Sequence, residues 1–140
     1  MKVAIFASNN GKGHIFRSTY IANTLSKYYE IDLYFNLKKI PKTYISKKIK
    51  KINFKYGKVD RKIYNLEWYK KYNKIKQYNF IISDNLPEAV NLNSKVFIYA
   101  NFFWHNVLKI NHLNHFKKIL HKLKSKNVLI FGNYIFQNIG

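Results

Sequence analysis

The residue types able to do chemistry are concentrated in one short run, Gly11-Lys12-Gly13-His14-Ile15-Phe16-Arg17. An imidazole and a guanidinium stand three residues apart there, just after two glycines that free the backbone. A histidine so placed can act as a general base toward a hydroxyl or a water, since the unperturbed imidazole pKa lies near ~6.5. Its structural alternative is a helix-start imidazole that hydrogen-bonds the turn. Arg17 can hold an anionic group such as a substrate phosphate, or pair with Asp84. Asp84 can orient His14, bind a hydroxyl, or cap the turn that begins near Pro87. Glu88, the other acid of that loop, reads as a solvated first-turn charge.

These residues need a scaffold, and the apolar pattern supplies one. Residues 2–7 form an apolar run that stops at Ser8-Asn9-Asn10-Gly11, the pattern of a buried parallel strand ending in a turn. From His14 to about Tyr28, the residues Ile15, Tyr20, Ile21, Thr24, Leu25 and Tyr28 recur near helical spacing. Further strands are expected over 31–36, 52–56, 80–83, 96–100 and 128–131. Amphipathic helices are expected over 63–77 and 112–124, with a single helical turn over 86–92 that carries Pro87 near its start. The strand over 80–83 ends on Asp84-Asn85, where the functional loops of a parallel sheet emerge. Six strands interleaved with helices imply an α/β class: one Rossmann-like, three-layer domain over residues 1–140, with a mainly parallel sheet and right-handed crossovers.

The formal charge of +20 arises from 26 basic against 6 acidic residues, and only Arg17 and Arg61 are arginines. A lysine excess that arrives with abundant Asn, Ile and Tyr is the mark of compositional drift at tolerant surface positions. Lys47 to Lys51 accordingly reads as a solvated face. The same charge would favour peripheral contact with an anionic membrane. Interleaved Lys and Tyr could also meet single-stranded nucleic acid, but none of the common RNA- or DNA-binding motifs is present. No cysteine is available for a disulfide, a thiolate metal site or a thiol nucleophile. His112 and His115 have a spacing that can ligate a metal, yet no carboxylate accompanies them, and no metal or cofactor is expected. The N-terminal apolar run is too short for a spanning helix or a signal peptide, so a cytoplasmic protein is expected.

Spacing tests the nucleotide-binding readings of the glycine run. The dinucleotide fingerprint G-x-G-x-x-G fails because Phe16 stands at the third glycine, and the second strand ends in Asn36 rather than an acid. The P-loop pattern fails because His14 follows Gly13. What remains is G-x-G-H-x-x-R. Together with Ser18 and the helical Ile21-Ala22-Asn23-Thr24-Leu25, it resembles the first loop and helix of two-domain glycosyltransferases of the GT-B architecture. These include relatives of the peptidoglycan N-acetylglucosaminyltransferase and the related nucleotide-sugar hydrolases of nonulosonate synthesis. A second patch is similar to a pattern found in a subset of such proteins: Ser83-Asp84-Asn85-Leu86-Pro87, then Asn101-Phe102-Phe103-Trp104.

The resemblance covers roughly the whole chain and implies the acceptor-side domain of an enzyme that moves a sugar from a nucleotide-sugar donor to a hydroxyl acceptor. It implies catalytic roles for His14 and Asp84, and substrate-binding roles for Gly11, Gly13, Arg17, Asn101 and Trp104; the alternative for the Phe102-Phe103-Trp104 cluster is a place in the core. The family's donor-binding domain has no counterpart among these residues, so a fragment, a split protein or a partner domain is expected. A hydrolase, in which His14 activates water, is the nearest alternative. A basic module that binds anionic lipid or nucleic acid without catalysis is the more distant one.

Overall fold

The computed structural model describes residues 1–9, 12–39, 44–54, 68–72, 78–92, 95–100, 117–119, 121–122 and 129–131. Its strands are β1 (Lys2–Ala7), β2 (Glu30–Phe35), β3 (Lys50–Asn53), β4 (Phe80–Asp84), β5 (Val96–Tyr99) and β6 (Leu129–Phe131). They form one sheet in the order β3-β2-β1-β4-β5-β6, and every neighbouring pair is parallel. This is the α/β, Rossmann-like arrangement expected from the strand pattern, with all six expected strands present. The chain leaves β1 toward β2 on one side, while β4 lies on β1's other side. That reversal of strand order opens a crevice at the carboxyl ends of β1 and β4.

A parallel sheet covered on both faces needs strands that are apolar on both sides, and β1 meets this requirement. Val3, Ile5 and Ala7 point to one face and pack with Ile31, Leu33 and Phe35 against the helix α1 (Lys12–Leu25). Ala4 and Phe6 point to the other, where they join Tyr34, Phe54, Trp68, Ile81, Leu86, Val90, Ile98 and Ile119. Phe6 is fully buried and stacks on Tyr34 at 4.3 Å between ring centroids, with Phe54 and Trp68 each at 5.3 Å. Burial of such a side chain contributes about 1.5–3 kcal/mol, so this aromatic knot anchors the second face.

The buried positions of α1 are Ile15, Ser18, Thr19 and Ala22, a helical i, i+3, i+4, i+7 stripe made mostly of small residues. The expected apolar stripe is thereby corrected: Tyr20 and Tyr28 are 75% exposed, and the helix seats its small face on the sheet. Small residues let the helix backbone approach the strands closely. The helix also starts at Lys12 rather than His14, which places Gly13 inside its first turn. A Cβ at Gly13 would meet no atom within 4 Å, so no close approach requires glycine there.

Three further expectations change. β3 begins at Lys50, inside the lysine cluster, and Lys50 and Lys51 are exposed in it. Lysines on a strand at the margin blunt edge-to-edge pairing. The helix expected over 63–77 is, in its described part, a 3-10 turn at Trp68–Tyr72. Glu88, expected to be solvated, is fully buried in the 3-10 turn Pro87–Asn91, where Trp68 Nε1 donates to its Oε2 at 3.3 Å. The indole supplies a donor that a lone buried carboxylate would lack. Of the helix expected over 112–124, residues 117–119 and 121–122 are described and helical.

A polar network closes the amino ends of β1 and β2. Tyr78 donates to the buried Asp32, which also pairs with Lys2 at 3.2 Å, and the Tyr34 and Tyr78 hydroxyls lie 2.9 Å apart. Burial and the bond to Asp32 hold the Tyr78 phenol far above its ordinary pKa.

Candidate functional site

Asp84 is the last residue of β4, and its side chain faces α1 because it is paired in register with Ala7, on the α1 side of the sheet. The small residue Ser18 lets α1 lie close at this point, and its hydroxyl donates to Asp84 Oδ2 at 3.4 Å. Beside it, the first two turns of α1 carry His14 and Arg17 toward the same carboxylate. His14 Nδ1 lies 2.9 Å from Asp84 Oδ1. Arg17 grips the carboxylate with both ends of its fork, Nη2 to Oδ1 at 2.7 Å and Nε to Oδ2 at 3.3 Å. Two parallel charge-assisted bonds of this kind fix geometry as well as charge.

Exposure is graded across the cluster. The Asp84 side chain is 2% exposed, His14 14% and Arg17 28%. The carboxylate is therefore a buried anchor, while the imidazole and the guanidinium reach the surface. Asn85, directly after Asp84, adopts φ 57° and donates its N–H to Tyr99 O at 2.7 Å. This left-handed step, which Asn tolerates better than most residues, turns the chain off the strand end immediately after the carboxylate. On the other side of the crevice, Asn9 Nδ2 donates to Phe54 O at 3.2 Å and ties the end of β1 to the end of β3.

The cluster adjoins an apolar groove of about 510 Å³ between α1 and the strands β4 and β5. Tyr20, Leu25, Tyr29, Phe80, Phe97 and Tyr99 are among its walls. The Arg17 guanidinium lies 5.0 Å from the centre of the Tyr99 ring, a cation–π contact that joins the polar cluster to the groove mouth. Tyr99 is shared by the groove wall and the polar cluster, whereas His14, Arg17 and Asp84 do not line the cavity.

Of the site residues expected from the sequence, His14, Arg17 and Asp84 are brought together. Gly13 lies in the helix beside them, while Gly11, Asn101 and Trp104 lie outside the described residues. Both proposed partners of Arg17, an anion and Asp84, remain compatible with the geometry, because the ion pair forms and the guanidinium still reaches the surface. Sequence reasoning assigned no role to Ser18 or Tyr99. Ser18 falls on the buried stripe at i+4 from His14, a signal hidden because a hydroxyl does not register as apolar. Nothing local marks Tyr99, which reaches Arg17 only through strand pairing. Among the described residues no group of three or more His, Asp or Glu could hold a metal ion, and no helix is long and apolar enough to cross a membrane. Comparison of the chain with protein-family models, with curated proteins and with solved structures finds no match.

Proposed function

We propose that this chain is the acceptor side of an enzyme that transfers a sugar from a nucleotide-sugar donor to a hydroxyl. The observation that carries the reading is the His14–Asp84 pair at the carboxyl end of the sheet, with Nδ1 2.9 Å from a buried carboxylate. With its proton on Nδ1 and donated to Asp84, the imidazole presents the Nε2 lone pair to an incoming hydroxyl. Nε2 takes the hydroxyl proton as the oxygen bonds to the anomeric carbon, and the bond from that carbon to the nucleotide diphosphate breaks. A second domain or chain holds the donor and stabilises the departing diphosphate. The tyrosine-lined groove gives the acceptor an aromatic wall, a surface on which sugar rings or apolar groups pack.

The experiment is a complementation. The chain, mixed with or fused to the donor-binding domain of a nucleotide-sugar transferase, is supplied with labelled nucleotide sugars and hydroxyl acceptors. Labelled glycoside is the expected product, and His14→Gln should lower its formation by about 10²–10⁴-fold, the usual weight of a general base. Free sugar released without acceptor would make the protein a hydrolase instead. Glycoside formation unchanged in His14→Gln would remove the reading.

A further inference from the structure

Asp84 Oδ1, Arg17 Nη2 and His14 Nδ1 form a triangle with edges of 2.7, 2.9 and 2.9 Å. A carboxylate only accepts and a guanidinium only donates, so the edge between those two is a strong hydrogen bond. Nδ1 is left with two incompatible roles. As an acceptor it receives a hydrogen bond from Nη2 and sets its lone pair against the carboxylate as well. As a donor it bonds Asp84 and sets its N–H against the guanidinium. In either case one edge of the triangle is an unfavourable contact. The two roles are the two neutral tautomers of His14, and only the second leaves the Nε2 lone pair free to take a proton.

We infer that Arg17 is a positioning residue that holds His14 as the Nε2–H tautomer until an anionic group of the ligand draws the guanidinium away, whereupon Asp84 accepts from Nδ1 and Nε2 becomes basic. Arg17 is the most exposed member of the triangle, so it is the one able to meet a ligand. Its bonds to Asp84 and His14 draw on Nε and Nη2, and the Nη1 edge is turned to neither. The Tyr99 ring beneath the guanidinium offers a flat surface along which it can shift. Asp84 keeps its place when Arg17 moves, because Ser18 Oγ still donates to Oδ2. The formal charge of +20 favours arrival of an anion such as a phosphate or diphosphate. The use of this switch in sugar transfer rests on the base role proposed for His14, but the switch can be read without any turnover.

The experiment is ¹⁵N NMR of the full chain labelled at histidine, with His14 assigned by the signals lost in His14→Gln. The sample is held above about pH 8, where an ordinary imidazole is neutral, and titrated with inorganic phosphate and then pyrophosphate. The Nε2–H form should dominate without anion. Saturation should move the tautomer ratio toward Nδ1–H by about tenfold or more, the weight of one charge-assisted hydrogen bond. Arg17→Gln should show Nδ1–H from the outset and ignore the anions. If that variant folds poorly, Arg17→Lys should lose the response as well, because an ammonium cannot span the fork. An Nδ1–H form in the anion-free protein, or a ratio that ignores both anions in the folded wild type, overturns the inference. A responsive tautomer in a chain that transfers no sugar keeps the switch and removes the transferase reading; transfer with a static tautomer does the reverse.

Discussion

Arg17 and Asp84, 67 residues apart in the chain, meet through two hydrogen bonds of 2.7 and 3.3 Å at the point where strand order reverses. The pair fastens the second turn of α1 to the end of β4. Both of its members also contact His14 Nδ1, each at 2.9 Å.

The two partners differ in what their loss leaves behind. Arg17→Met takes the cation from a carboxylate that is 2% exposed and leaves it only the neutral donors of His14 and Ser18, and the expected cost is about 3 kcal/mol, as for other buried pairs broken from one side. Asp84→Asn leaves a guanidinium that already reaches water, so the cost should be smaller, about 1.5–2 kcal/mol. Urea denaturation of the two variants checks the order. Equal losses would mean that the carboxylate is better solvated than its burial indicates.

Alkaline pH should unfold this protein through its tyrosine network. Burial raises the Tyr34 and Tyr72 phenols, and burial together with the hydrogen bond to Asp32 raises Tyr78 further. At Lys2 burial works against the ammonium, yet the hydrogen bonds and charges of Asp32 and Glu30 outweigh it and the pKa ends raised. All four folded values lie above the unfolded ones, so the folded state binds these protons more tightly. Their stabilisation is complete below about pH 10 and is lost as pH climbs through the unfolded values toward the folded ones. Tyr78→Phe should flatten that fall. At neutral pH it should cost about 1.5–3 kcal/mol, because Asp32 loses a donor. Melting temperatures between pH 7 and 11 give both readings.

The left-handed Asn85 should tolerate glycine better than any branched residue. Asn85→Val forces a β-branched side chain into φ 57° and should cost about 1–2 kcal/mol more than Asn85→Gly, which adopts that region freely. Thermal denaturation of the two variants decides it. A valine variant as stable as the glycine one would show that the turn relaxes out of the left-handed region.

Much of the fold was legible because each strand reports its own environment. Residues 2–7 are apolar on both sides, and the structure buries alternate residues of β1 in two separate cores. Helix α1 was legible as a helix but not in its orientation, since Ser18, Thr19 and Ala22 form its buried stripe while Tyr20 stands in solvent. Hydrophobicity patterns weigh side chains by size and polarity, whereas this interface selects for closeness. Glu88 was misread for a related reason: a carboxylate looks solvated until a distant Trp68 is folded over it.

By itself the sequence determined six strands, an α/β class, and a run in which His14 and Arg17 share one side of a helix start. Those features follow from local spacing, which is set by 3.6-residue and two-residue periodicities alone. Only the tertiary structure decided that β4 lies beside β1, and hence that Asp84 arrives between those two side chains with Tyr99 flanking Arg17. Strand order is a property of pairing across long loops. The chemistry of this cluster arises from the juxtaposition of residues 14, 17 and 84.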